Sequence, residues 1–134
     1  MSWQTYVDTN LVGSGRVTHA AIIGLQGGVW ASSPGFNLTA EEQQALISAA
    51  KGALSGDEAG ASQLQASGLR LQNEKYFTLR VSERSAYLKK QADGAIVVKT
   101  KQAILVAVYV APLQAAEATP VVESLADYLV SVGY

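Results

Sequence analysis

Apolar and polar positions repeat with two different periods along this chain, and each change of period marks an element. Near the N-terminus Trp3, Val7 and Leu11 recur every four residues, with Tyr6 beside them. Ser2, a good capping residue, precedes them, so a short helix is predicted, ended by Gly13-Ser14-Gly15. Two runs rich in alanine, isoleucine and valine, Thr18 to Leu25 and Val29 to Ser33, flank Gln26-Gly27-Gly28 and read as a β-hairpin. Thr39-Ala40-Glu41-Glu42 is a capping box in which Thr39 caps and Glu42 reaches back. The helix it opens runs to about Lys51, stops at Gly52 and turns Leu46 and Ile47 inward. Ala53 to Ser67 is built of Ala, Ser, Gly and Gln with Asp57 and Glu58, and is expected to be a surface loop with room for one helical turn.

From Gly68 to Val110 the period is that of strands. Five are predicted: Gly68 to Gln72, Lys75 to Val81, Ser85 to Gln91, Ala95 to Thr100 and Ala103 to Val110. The turns between them are Gln72-Asn73-Glu74, Ser82-Glu83-Arg84, Ala92-Asp93-Gly94 and Lys101-Gln102, and Asp93-Gly94 is the strongest hairpin signal. Links this short demand antiparallel neighbours. The last helix is expected to begin at Thr119-Pro120, cap then proline, with Val121, Val122, Leu125, Tyr128, Leu129 and Val132 at helical spacing and Gly133 as the stop. The fold class is therefore α/β (α+β): a single domain over residues 1–134 with a meandering antiparallel sheet of about seven strands. Helices on both faces make three layers.

Composition narrows the chemistry. Apolar residues are 49% of the chain and charged residues 16%, a globular balance for 134 residues. With no cysteine and one histidine, His19, disulfide scaffolds, cysteine nucleophiles, thiolate metal sites and multi-imidazole metal sites are excluded. No P-loop, nucleophile elbow or H-E-x-x-H motif occurs. Glu41-Glu42 and Asp57-Glu58 are explained by capping and by a solvated loop. No targeting segment or membrane-length apolar run is visible, so a cytoplasmic protein is expected. The net charge of −1 argues against a nucleic-acid partner, yet it hides an asymmetry. Arg70 to Lys101 holds eight basic residues (Arg70, Lys75, Arg80, Arg84, Lys89, Lys90, Lys99, Lys101) and three acids (Glu74, Glu83, Asp93), a net of +5. Solvated strand faces account for such a segment as well as an acidic partner or anionic lipid does.

The ten aromatic residues add a second asymmetry, since Trp3, Tyr6, Tyr128 and Tyr134 all lie in the first or last seven positions. Two readings are open. Each ring fills the core, or the two chain ends lie side by side and the rings form a groove. Such a groove suits a polyproline II helix: ring faces stack on pyrrolidine rings, while indole N–H and phenol O–H groups donate to its unpaired carbonyls.

The residues resemble a known family. Ser2-Trp3-Gln4-Thr5-Tyr6-Val7-Asp8-Thr9-Asn10-Leu11 with Gly13 and Gly15, then Val29-Trp30-Ala31, Leu79-Arg80, Glu83-Arg84-Ser85, Tyr87, Lys89-Lys90, Leu125-Ala126-Asp127-Tyr128-Leu129 and Gly133-Tyr134, resemble the profilins in order and over essentially the whole chain. The likeness is greatest to the fungal and amoeboid members of that family. It implies a sheet with the paired terminal helices on one face and smaller helices on the other, and an actin-monomer-binding adaptor that regulates actin polymerisation rather than an enzyme: cytoskeleton-associated, monomeric, and without cofactor or metal.

The resemblance also implies sites. Proline-rich proteins such as formin-type nucleators are expected at Trp3, Tyr6, Trp30, Tyr128, Leu129 and Tyr134. Monomeric actin is expected at Lys75, Arg80, Arg84, Tyr87, Lys90, Lys99 and Val121, and phosphoinositide headgroups at Arg80, Arg84, Lys89 and Lys90. Three departures stand out: Leu88 occupies a position where the family has glycine, so the local bend is expected to differ; Ala53 to Ser67 is longer than in most fungal relatives; and Ala115-Ala116-Glu117-Ala118 replaces the familiar turn before the last helix. The rival reading is a PAS-like small-ligand sensor domain.

Overall fold

The computed structural model describes residues 2–134. The first helix, α1, is α-helical over Trp3–Thr5, and Thr5 N–H is capped by the Ser2 hydroxyl at 3.2 Å. It widens to π winding over Tyr6–Leu11, where Val12 N–H bonds to Val7 O, and one 3-10 turn, Val12–Ser14, follows. An added Cβ at Gly13 would run into Asp8 O, so glycine is what lets the chain close that wide turn. Gly15, left-handed at φ 78°, ends the segment.

Strands β1 (His19–Gly24) and β2 (Val29–Ser32) form the predicted hairpin. Helix α2 (Ala40–Lys51) carries the predicted capping box: Glu42 N–H bonds to Thr39 Oγ1 and Thr39 N–H to Glu42 Oε1. The segment expected to be a loop is instead a 3-10 turn, Ala53–Ser55, and a helix, α3 (Glu58–Ser67). Alanine and glutamine are strong helix formers, and this helix buries only Leu64, so its apolar stripe is too thin to read from periodicity.

Then come β3 (Leu69–Leu71), β4 (Glu74–Val81), β5 (Ser85–Lys90), β6 (Asp93–Lys99) and β7 (Ala103–Tyr109), each within two residues of its predicted bounds. The β5–β6 turn falls earlier than Asp93-Gly94 indicated: Gln91 takes the left-handed conformation at φ 55°, and Asp93 and Gly94 already belong to β6. Gly94 serves another purpose. It sits opposite Tyr109, and an added Cβ there would collide with the Tyr109 phenol.

The last helix, α4 (Ala115–Ser131), begins five residues before the expected start, with Gln114 rather than Thr119 at the cap position. Alanine favours the extra turn. Pro120 has no N–H for the Ala116 carbonyl, and Ala116 is exposed, so that carbonyl is not stranded in the core.

All seven strands form one antiparallel sheet in the order β2-β1-β7-β6-β5-β4-β3. Strands β3 to β7 are the expected meander, and the β1–β2 hairpin docks on β7, with His19 opposite Val108. Alternate residues feed two cores. Ile23, Leu88, Val97 and Ile104 meet Leu46, Ile47 and Leu64 of α2 and α3 on one face. Ile22, Ile96, Val98 and Leu105 meet Val7 and Leu11 of the first helix and Val122, Leu125 and Leu129 of α4 on the other. Each such side chain contributes about 1.5–3 kcal/mol by leaving water. Leu88 is fully buried in a regular strand, so the glycine-type bend is not needed there. His19 stacks on Phe36, ring centroids 5.7 Å apart.

Candidate functional site

The terminal-helix face brings the aromatic chain ends together. Gln4 Nε2 donates to Ser32 O at 2.8 Å and fixes the first helix to β2. Trp3 meets Trp30 of β2 at 4.6 Å between centroids, Tyr6 at 5.6 Å and Tyr134 edge-on at 5.0 Å; Tyr6 meets Tyr128 of α4 at 6.1 Å. Trp30 lies against bare backbone: an added Cβ at Gly24 would sit 2.6 Å from its indole nitrogen. Tyr128 and Tyr134 are 48% and 42% exposed, and Trp3, Tyr6 and Trp30 are half-buried. The result is a continuous five-ring shelf open to solvent. The Tyr128 phenol beside it, then partial burial, holds the Tyr6 hydroxyl above the ordinary tyrosine pKa.

One residue expected on the shelf is not on it. Leu129 is 0% exposed and packs under the rings, one position past Tyr128 and turned to the sheet. Past Tyr6 and Tyr128 the shelf opens into a groove of about 480 Å³, lined also by Asn10, Ser14, Val121, Ser124 and Leu125. Val121, expected with the basic residues, is therefore a neighbour of the rings.

A second surface lies on the other flank of α4, where β4 and β5 extend beyond the helix. A bulge between Thr78 and Arg80 puts Leu79 and Arg80 on one face of β4. The Arg80 guanidinium stacks 4.5 Å over the Tyr87 ring, and Lys75 Nζ lies 5.8 Å from the Phe77 centroid. Phe77 and Leu79 are 65% and 62% exposed beside Lys89, which pairs with Phe77 across the strands. A concavity of about 460 Å³ runs from Leu79, Arg80 and Tyr87 to Ala116, Thr119 and Pro120 of α4. Phe77 was legible only as one of ten aromatics; its signal was an apolar residue on each face of β4, Tyr76 inward and Phe77 outward.

Three basic residues expected here are placed otherwise. Arg84 is half-buried and turned onto α4, where it pairs with Glu123 at 2.8 Å and Asp127 at 2.7 Å. Burial opposes its charge, but the two carboxylates outweigh burial and raise its pKa. Lys99 points to the α2–α3 face, where its Nζ donates to Ser55 Oγ at 2.8 Å. Lys90 shares the strand face of Leu88 and pairs with Glu74 at 2.8 Å. Lys75, Arg80, Tyr87 and Lys89 stay together.

Glu123, which the sequence did not single out, is the hub behind this surface. Besides Arg84 it accepts from Ser85 Oγ at 2.6 Å and Tyr87 Oη at 3.0 Å. No group of three or more metal-binding side chains occurs among the described residues, and no helix there is long and apolar enough to cross a membrane.

The profilin family model matches residues 1–134. Profilin-1A of Acanthamoeba castellanii is 50% identical over all of both chains. The chain belongs to the profilin family. Profilins are non-enzymatic actin-binding proteins, so the PAS-like alternative is set aside. The Acanthamoeba castellanii profilin IA structure superposes on this profilin with a TM-score of 0.88, covering 99% of this chain and 100% of that one. Schizosaccharomyces pombe profilin, 42% identical, superposes with a TM-score of 0.90 over 99% and 100% of the two chains. A more distant neighbour, mouse profilin IIa in complex with a double repeat from the FH1 domain of mDia1, is 21% identical with a TM-score of 0.76 over the whole of both chains and shares the fold.

Proposed function

We propose that this chain is a single-domain, monomeric actin adaptor of the cytoskeleton that holds a proline-rich segment on its ring shelf and an actin monomer on the Lys75–Tyr87 surface. The observation that carries the reading is the shelf itself: Trp30, Tyr134 and Tyr6 each meet Trp3, Tyr128 meets Tyr6, and the linked rings are open to solvent. Core packing does not call for five aromatic rings at the surface, whereas a polyproline II helix is an extended, low-entropy ligand that rings bind by stacking. The FH1 repeat bound by mouse profilin IIa is in keeping with such a ligand. Micromolar affinity, about −6 to −8 kcal/mol, is expected of a contact this size.

For actin, exposed Phe77 and Leu79 supply apolar area, and Lys75, Arg80 and Lys89 supply charge that steers an acidic partner. Arg84 acts through Tyr87 and Glu123 rather than by contact. Phosphoinositide headgroups compete for the same face through Arg80 and Lys89.

Retention of the purified protein on polyproline resin, together with actin-monomer binding in solution, tests the reading. Binding of both ligands at once is the expected result. Failure of the folded protein to bind either one removes that half of it. Vesicles with and without phosphoinositide, added to the actin assay, test the competition.

A further inference from the structure

The ring shelf has a support that comes from none of its rings. Helix α4 ends at Ser131, Gly133 is left-handed at φ 95°, and Tyr134 N–H caps the helix by donating to Leu129 O at 2.8 Å. That cap holds the amide side of Tyr134, and the β6–β7 turn holds its main-chain oxygen. The Thr100 hydroxyl, buried and accepting from Ala103 N–H at 3.1 Å, donates to the main-chain oxygen of Tyr134 at 2.7 Å. Gln102 N–H donates to that same oxygen, and Gln102 Nε2 donates to Gly133 O at 2.8 Å.

Gln102 also faces the other way. Its carbonyl accepts from Leu25 N–H at 3.0 Å, in the hairpin that carries Trp30. One turn thus grips both segments whose rings flank Trp3, Tyr134 at 5.0 Å and Trp30 at 4.6 Å. Lys101, between the two gripping residues, is exposed and makes none of these bonds.

We propose that Thr100 and Gln102 are positioning residues for the proline-rich ligand: they hold Tyr134 edge-on to Trp3, so that the shelf exists before the ligand arrives. The inference rests on the reading of the shelf as a proline-segment site. Its physical content is preorganisation. A Tyr134 whose main chain is already held in the free protein has less conformational freedom to lose on binding, and releasing it weakens affinity about three- to tenfold.

The test measures decaproline affinity and the nuclear Overhauser contact between the Trp3 and Tyr134 rings in the intact protein. Thr100→Val and Gln102→Ala are expected to weaken decaproline three- to tenfold and to weaken the ring contact, whereas Thr100→Ser and Lys101→Ala keep both. On a Tyr134→Ala background the two weakening substitutions are expected to cost nothing further, which a general loss of stability would not produce. Gln102→Ala changes only an exposed side chain, so it stays informative if Thr100→Val does not fold. Undiminished decaproline affinity and ring contact in folded Gln102→Ala and Thr100→Val overturn the proposal, as does an equal loss on the Tyr134→Ala background. If the wild-type protein does not bind decaproline, the shelf reading falls with the ligand half of the proposal, and the ring contact alone decides whether the turn orders Tyr134.

Discussion

The ring of Tyr134 meets the ring of Trp3 edge-on, centroid to centroid 5.0 Å, so residues from the two ends of the chain form one surface. Trp3 also touches Tyr6 and Trp30, which makes it the centre of the shelf. Trp3→Ala is therefore expected to weaken decaproline binding by about 2–4 kcal/mol, thirtyfold or more, as central aromatic anchors do. Actin affinity is expected to stay within about twofold, because the second surface lies on the other flank of α4. Calorimetric titration with each ligand checks both; parallel loss in a folded variant would mean that the surfaces are not separate.

Gly24 gives a subtler version of the same test. A methyl group there would sit 2.6 Å from the Trp30 indole nitrogen and 3.0 Å from Gly27 O. Gly24→Ala is expected to displace Trp30, shift the tryptophan emission and weaken decaproline by about 1–2 kcal/mol, with overpacking of about 1–3 kcal/mol in stability. Unaltered emission and affinity would show that the indole has other room.

Glu123 accepts hydrogen bonds from Arg84, Ser85 and Tyr87 at once. Glu123→Ala leaves the guanidinium with Asp127 alone and frees the Tyr87 ring on which Arg80 stacks. Urea unfolding is expected to register a loss of about 2–3 kcal/mol, and actin affinity to fall severalfold while decaproline binding persists. Retained actin affinity would show that the order of Tyr87 does not matter to that contact.

Glu42 does a different job at the far side of the sheet. Its carboxylate accepts from Thr39 N–H at 3.0 Å, Gln72 N–H at 2.9 Å and Asn73 N–H at 2.6 Å, joining the start of α2 to the β3–β4 turn. Gln72 and Asn73 are both left-handed, at φ 52° and 65°, so the carboxylate holds a conformation that neither residue favours. Glu42→Ala is expected to cost about 2–4 kcal/mol in chemical denaturation, with both ligand affinities unchanged. A cost below about 0.5 kcal/mol would place the support of that turn elsewhere.

Alkaline pH tests the core. Burial raises the phenol pKa of Tyr109, and burial followed by the charges of Glu74 and Asp93 raises that of Tyr76, both from 10.0. Above pH 10 the unfolded chain gives up these protons while the folded chain keeps them, so the folded state binds more protons and stability falls as pH rises. The urea midpoint is expected to be steady below about pH 9.5 and to drop from about pH 10 upward. Tyr109→Phe flattens part of that drop. A flat midpoint through about pH 11 would contradict the assignment.

Much of this was legible in the sequence where local chemistry decides. The Thr39–Glu42 box marked the start of α2, and short strand-like runs bounded by turn residues marked β4 to β7, of which β7 is apolar throughout. Signals with two possible physical uses misled. Asp93-Gly94 has the composition of a turn, yet Gly94 gives clearance to the Tyr109 ring and Gln91 turns the chain. Thr119-Pro120 looks like a helix start and lies within α4. Among the proposed contact residues, spacing alone could not tell that Leu129 faces the sheet while Tyr128 faces water, or that Arg84 spends its charge on Glu123 and Asp127. Those are tertiary facts, set by how far α4 is rotated on its axis.

That rotation has a mechanical consequence. Val121 and Tyr128 look out from one side of α4, and Thr119 and Glu123 from the other, so a single rod about 10–12 Å thick separates the two proposed binding surfaces. On the proposed reading, partners seated on either side of so thin a wall would travel as one package, with no hinge to swing between picking one up and presenting it beside the other.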